Sequence, residues 1–166
     1  MSVVPHIALV VATFLCSLVA GFLFAFAVVV MPGIRGLPNR EFLAAFQQMD
    51  AVIQQGRPLF GLVWVGSALT LIIGIASGLG EAGTWQVVLL VLAGGVYLLG
   101  VQLPTFVINV PLNNELQALD ISRADDATLR SARQRFEPTW NRWNRIRTAF
   151  AALTTALLLA FLTILC

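Results

Sequence analysis

Apolar residues fall in four long blocks separated by polar ones. Residues 2–34, 58–80, 82–114 and 148–166 carry no charged side chain and are 33, 23, 33 and 19 residues long. A helix rises about 1.5 Å per residue, so about 20 apolar residues cross a hydrocarbon layer about 30 Å thick, and each block is long enough or nearly so. The pattern predicts membrane spans over about 6–30, 59–79, 85–108 and 147–165, within one membrane domain covering residues 1–166. The fold class expected is all-α: an integral membrane four-helix bundle with short amphipathic helices in the two long loops.

Small and polar residues inside the blocks refine that picture. Span one is expected to stop at Met31-Pro32-Gly33, because proline and glycine end helices. Ser17 and Gly21, four residues apart, read as a close-packing pair. In span two, Gly66, Thr70, Gly74 and Gly78 recur every four residues and mark either the tightest helix–helix seam or a substrate groove. Span three is interrupted by Gln102, Pro104, Thr105 and Asn109. Pro104 cannot donate to the carbonyl of Gly100, which implies a kink or the lining of a polar cavity. Threonines 148, 154, 155 and 163 are the polar side chains of span four.

The loops carry helical periodicity as well. From Asn39, a suitable N-cap, Phe42, Phe46, Met49 and Ile53 form an apolar stripe, with Gln47, Asp50 and Gln54 in a second stripe beside it. In the later loop, Asp126 and Arg130, then Arg133 and Glu137, are spaced for ion pairs along an exposed helix. Pro138 should then open a new segment in which Trp140, Trp143, Asn144 and Arg147 share a face, as interfacial anchors or as part of a site. Val30-Met31-Pro32 after span one is echoed by Asn109-Val110-Pro111 after span three, which predicts two similar hairpins.

Composition agrees with membrane residence: 58% of the 166 residues are apolar, against about 45–50% in soluble domains. Charge placement adds orientation. All ten basic residues are arginine; three lie between spans one and two and seven between spans three and four. Basic loops stay cytoplasmic, so both long loops should face the cytoplasm and both termini the outside, with a bacterial inner membrane as the expected location. Every charge except that of Glu81 then falls on the inner side. With one histidine, His6, and two cysteines, Cys16 and Cys166, no metal site is expected, and no disulfide. Gly94-Gly95 lies inside an apolar run, without the context of a phosphate loop, so no nucleotide cofactor is expected. Nucleic acid is not an expected partner, because the arginines are interleaved with eight acids. Membrane lipid is the expected surrounding, and a homo-oligomer stays open.

Several segments together resemble a known family. Met31-Pro32-Gly33, Phe46-Gln47-Gln48-Met49-Asp50 followed by Pro58-Leu59-Phe60, Asn109-Val110-Pro111-Leu112-Asn113, and Trp140 with Trp143-Asn144 and Arg147-Thr148 resemble the anthrone oxygenase-like family of small four-span membrane proteins. The likeness covers nearly the whole chain and implies a membrane bundle. Some members are associated with oxidation of anthrones to anthraquinones without an evident metal or flavin, so the resemblance implies no cofactor.

Such a reaction on an apolar aromatic molecule needs a base, fixed positive charge or hydrogen-bond donors for the substrate anion, and an apolar pocket for a flat ring. On that basis Asp50 is the candidate base and Arg147 the electrostatic stabiliser. Asn109, Asn113 and Asn144 are the candidate hydrogen-bonding groups, and Trp140 and Trp143 the ring contacts. His6 should lie on the outer side, away from them. The alternative is a non-catalytic four-span protein: a packing subunit, a small-molecule binder or a transporter component. Asp50 would then be a surface carboxylate or the partner of a loop arginine.

Overall fold

The computed structural model describes residues 2–165, so Cys166, one of the two cysteines weighed above, lies outside the described residues. Five helices make up the protein: α1 (Val3–Ile34), α2 (Asn39–Gln54), α3 (Pro58–Gly78), α4 (Thr84–Gln117) and α5 (Asp126–Leu165). Among the described residues there is no strand. Helices α1, α3, α4 and α5 are each long and apolar enough to cross a membrane, and this is an integral membrane protein.

Three of the four run well past the apolar blocks. At 32, 34 and 40 residues, α1, α4 and α5 are about 48, 51 and 60 Å long, against a hydrocarbon layer of about 30 Å. Helices α1 and α4 pass through prolines expected to end or break them. The reason is a wide π turn placed just ahead: Phe26–Val30 before Pro32, Leu98–Gln102 before Pro104, and Thr105–Asn109 before Pro111. In each case the residue before the proline bonds back five positions: Met31 to the carbonyl of Phe26, Leu103 to Leu98, Val110 to Thr105. Proline lacks an N–H and its ring crowds the carbonyl four residues back; the extra residue of a π turn loosens the ladder there, and the helix continues. The echo between Val30-Met31-Pro32 and Asn109-Val110-Pro111 thus marks the same device used twice. Pro138 also lies inside a continuous helix rather than opening a new one, on an exposed face of α5.

The later loop therefore differs from expectation. Instead of separate short helices, the extended ends of α4 and α5 fill it, and α2 is the one short amphipathic helix. Asn39 opens α2 without capping it; its side-chain oxygen accepts from Arg133 Nη1 at 3.4 Å. Arg133 and Glu137 pair at 2.7 Å, whereas among the described residues Asp126 and Arg130 form no ion pair.

Two apolar cores result. The first lies within the bundle around Leu9, Cys16, Leu71, Leu90, Tyr97 and Leu158. Its most extensive seam joins α1 to α3 along the expected small-residue stripe: a Cβ at Gly74 would stand 2.7 Å from Leu9 Cδ2, and one at Gly66 3.2 Å from Leu15 Cδ1. Ser17 and Gly21 do not form a seam; both are exposed, and Gly21 has no neighbour within 4 Å. Ser67 Oγ pairs here with Tyr97 Oη at 2.6 Å and Trp64 Nε1 donates to Gln102 Oε1 at 3.0 Å, while the buried Gln102 Nε2 has no partner among the described residues.

The second core forms where α2 lies against the extended ends of α1, α4 and α5. It contains Met31, Phe42, Leu43, Phe46, Leu116, Leu129, Phe136 and Trp140. Removing each such large side chain from water is worth about 1.5–3 kcal/mol, enough to hold α2 in place. Arg133 fastens the corner by donating to the carbonyls of Arg35 (2.6 Å) and Leu37 (2.7 Å) while lying over the Phe42 ring.

Candidate functional site

A cavity of about 350 Å³ lies where the two cores meet, lined by Leu23 and Trp64 from the first and Phe46 and Trp140 from the second. Its size falls in the range of about 300–1,000 Å³ usual for small-molecule sites. The wall is largely aromatic. Neighbouring ring centroids run Trp64–Phe60 5.6 Å, Phe60–Phe22 5.4 Å, Phe22–Phe26 4.9 Å, Phe26–Trp140 5.7 Å and Trp140–Phe46 5.2 Å, an unbroken band of six rings.

Asp50 enters this cavity from α2. The Phe42/Phe46 stripe is buried in the second core, which turns the neighbouring stripe of Gln47, Asp50 and Gln54 toward α4. Asp50 is only 4% exposed. Its Oδ1 accepts from Asn113 Nδ2 at 2.7 Å, and its Oδ2 accepts from Gln54 Nε2 at 2.7 Å and Gln117 Nε2 at 3.0 Å. No arginine pairs with it among the described residues. A carboxylate has about four acceptor positions, so one on Oδ1 is left for a ligand. Asn113 is held in turn by Trp140, whose Nε1 donates to its Oδ1 at 2.8 Å. That fixes which end of the amide faces Asp50.

Arg147 enters from α5, two helical turns beyond Trp140, and is also 4% exposed. Its Nη1 donates to Thr105 Oγ1 at 2.9 Å and its Nη2 to Asn144 Oδ1 at 3.1 Å, while Nε has no partner. Its guanidinium carbon stands 5.9 Å from the Trp140 ring centroid. Among the described residues no carboxylate lies within ion-pairing distance of it. The π turns supply its supports. Asn144 Nδ2 donates to the Leu23 carbonyl at 3.1 Å, just ahead of the first π turn, and Thr105 opens the third.

Six of the seven residues singled out from the sequence line this one cavity: Asp50, Asn109, Asn113, Trp140, Asn144 and Arg147. Asn109 donates to the Trp140 carbonyl at 3.5 Å, and its Oδ1, buried in the wall, has no partner. Trp143 is the exception; it is half-buried on α5 and does not line the cavity. His6 lies in the first turns of α1, at the other end of the molecule. Thr105, noted as part of the break in span three, and Phe60, noted in a family segment, also belong to the site, as do Gln117, Phe22, Phe26 and Trp64, which were not singled out. Gln117 lies past the expected end of span three, and the rings read as ordinary span residues. Among the described residues no group of three or more His, Cys, Asp or Glu is placed to hold a metal ion.

Within a membrane-embedded helical bundle, a buried acceptor and a buried cation thus face one aromatic cavity. The chain belongs to the anthrone oxygenase family: that family's model matches residues 49–157, about two thirds of the protein, including all seven candidate residues. It is thus an oxygenase-like membrane protein by family. Neither the curated proteins nor the solved structures contain a match to it.

Proposed function

We propose that the protein oxidises an anthrone-like polycyclic ketone with molecular oxygen, without a cofactor, on the cytoplasmic side of a bacterial inner membrane. One observation carries this reading: Asp50 and Arg147 are both buried, neither has an ion-pair partner among the described residues, and both face the same ring-lined cavity. Buried charges are normally paired, so leaving both open toward a cavity is costly unless a ligand uses them.

In this mechanism Asp50 takes a proton from the ring methylene that lies across the molecule from the keto group. The electron pair of that C–H bond spreads through the rings onto the keto oxygen, where the Arg147 guanidinium stabilises it. The anion gives electrons to O2 one at a time and a C–O bond forms, leaving a substrate hydroperoxide. The peroxide has by then taken back the first proton from Asp50; Asp50 removes the second methylene proton, whose electron pair forms the C=O bond as the O–O bond breaks, and the expelled hydroxide takes that proton to leave as water. The balance is one CH2 and one O2 giving one C=O and one water. Aromatic walls hold the plane of the rings, and Asn113 and Trp140 fix Asp50. The cytoplasmic side is supported by the ten arginines, all of which lie at the α2 end of the sequence pattern.

The test is oxygen-dependent oxidation of an anthrone by purified protein in proteoliposomes, followed by quinone absorbance. Asp50→Asn keeps the shape of the side chain and is expected to lower the rate by about 100-fold or more, as loss of a general base does. A wild-type rate no greater than the protein-free background overturns the reading.

A further inference from the structure

The walls of the cavity are not equally closed. Asp50, Asn109 and Arg147 are 4%, 2% and 4% exposed, whereas Phe106 and Val110, which line the same cavity, are 61% and 36% exposed. These two residues are four apart on α4, next to the buried Thr105 and Asn109. They therefore form an edge of that helix shared by the cavity and the outer surface.

The packing of α3 and α4 explains the opening. The helices contact each other along the Thr84–Tyr97 part of α4, and Trp64 reaches across to Gln102. Beyond that point Thr105–Gln117 packs on α5 and α2 instead, so α4 leaves α3 where Phe60 stands opposite the cavity. Phe60, Phe106 and Val110 all belong to the charge-free blocks 58–80 and 82–114, within the helices long enough to cross the membrane. The adjoining corner is polar and tied shut: Gln54 Nε2, at the end of α2, donates to Asn114 Oδ1 at 3.3 Å. One side of the mouth is thus apolar and open, and the other is polar and bridged.

We propose that this mouth, between Phe60 on α3 and Phe106 and Val110 on α4, is a lateral portal through which an apolar aromatic molecule dissolved in the lipid reaches the cavity. The proposal rests on the aromatic-ligand part of the function proposed above, but not on its chemistry. A flat hydrocarbon ring system partitions into the acyl region, so a side opening spares it transfer through water. The Gln54–Asn114 bridge keeps the Asp50 end away from solvent while the apolar side stays passable.

Anthracene separates access from reaction, because it has the ring shape but neither a keto group nor an acidic methylene. The measurement is energy transfer to anthracene from Trp64 and Trp140, in a background carrying Trp85→Phe and Trp143→Phe. The protein sits in liposomes and anthracene is delivered from a second liposome population already loaded with it. Val110→Phe, which narrows the mouth without adding a tryptophan donor, and Val110→Arg, which puts a charge in it, are each expected to slow association by about fivefold or more. Dissociation is expected to slow as well, since arrival and departure share the mouth. Phe106→Ala, which widens the mouth, is expected to speed association.

Association at the wild-type rate in both Val110 variants overturns the portal, as does the absence of energy transfer in the unmodified cavity, the outcome if acyl chains fill it. Normal anthrone oxidation by folded Val110→Phe and Val110→Arg also counts against the portal while leaving the reaction standing. Mouth-dependent anthracene binding by a protein that oxidises no anthrone upholds the portal and removes the reaction.

Discussion

Arg147 shows most directly what a buried residue costs when packing alone does not account for it. Taking a guanidinium out of water costs several kcal/mol, and among the described residues no carboxylate lies close enough to repay it. Its two hydrogen bonds, to Thr105 and Asn144, return about 1.5–3 kcal/mol each when one partner is charged. Arg147→Met keeps most of the volume and removes the charge. It is expected to leave the denaturation midpoint in detergent at or above that of the wild type while abolishing anthrone oxidation. A clear loss of stability would make the guanidinium a structural member of the bundle instead. The same scale shows why Trp143 misled the sequence reading. On a regular helix Asn144 and Arg147 lie within about 40° of Trp140, but Trp143 is about 60° round from it, on the flank that faces away from the cavity. Asp50 was legible because Phe42 and Phe46 define which face of α2 is buried, and it stands on the face beside them. Gln117, the third donor to Asp50, was not, since nothing in the local pattern announces that α4 continues through Pro104 and Pro111.

Among the elements, glycines and prolines were legible to different degrees for identifiable reasons. Four small residues at spacings of four in α3 hold one helical face over three turns, so the seam with α1 could be read directly. Ser17 and Gly21 offer the same spacing only once, and that face of α1 is exposed. The contrast is testable by unfolding in mixed micelles. Gly74→Val is expected to cost about 1–3 kcal/mol through overpacking, because even its Cβ would come within 2.7 Å of Leu9 Cδ2 and 3.3 Å of the Leu9 nitrogen. Gly21→Ala, with open space around it, is expected to cost nothing measurable. Equal effects at the two positions would mean that the α1–α3 seam is not the tight contact described. Pro32, Pro104 and Pro111 were misread because a helix is usually broken by a lost N–H and a ring clash, and a π turn removes the clash without leaving a composition signal. The consequence is functional as well as architectural. Two of the three π–proline units lie beside the cavity, and their neighbours Leu23 and Thr105 supply the groups that hold Asn144 and Arg147.

At the scale of the whole molecule, charge divides the protein into two unlike ends. Seventeen of the 18 charged residues lie at the end bearing α2 and the extended helices, and Glu81, in the turn between α3 and α4, is the one at the other end. The sequence showed this isolation but not its use. Glu81 Oε1 accepts from Ser2 Oγ at 2.7 Å and its other oxygen from the Ser2 backbone N–H, which ties the start of α1 to the α3–α4 turn. The Ser2 hydroxyl, with the backbone N–H adding to it, holds the Glu81 carboxyl below its ordinary value of 4.5. A carboxylate lowered on folding contributes its stabilisation above the unfolded value and loses it as pH falls through the lower, folded one. The tie should therefore be intact at neutral pH and at pH 5, and release only in acid more extreme than pH 4.5. Because the pair is exposed, the expected readout is local: faster amide exchange in the first turn of α1 at low pH, with the rest of the bundle unchanged. Ser2→Ala should raise the titration midpoint of Glu81 seen by carboxyl carbon NMR toward 4.5 and speed that exchange already at neutral pH. A midpoint the same in both proteins would show that Ser2 does not hold the carboxylate, and would leave the first turn of α1 anchored by its apolar contacts alone.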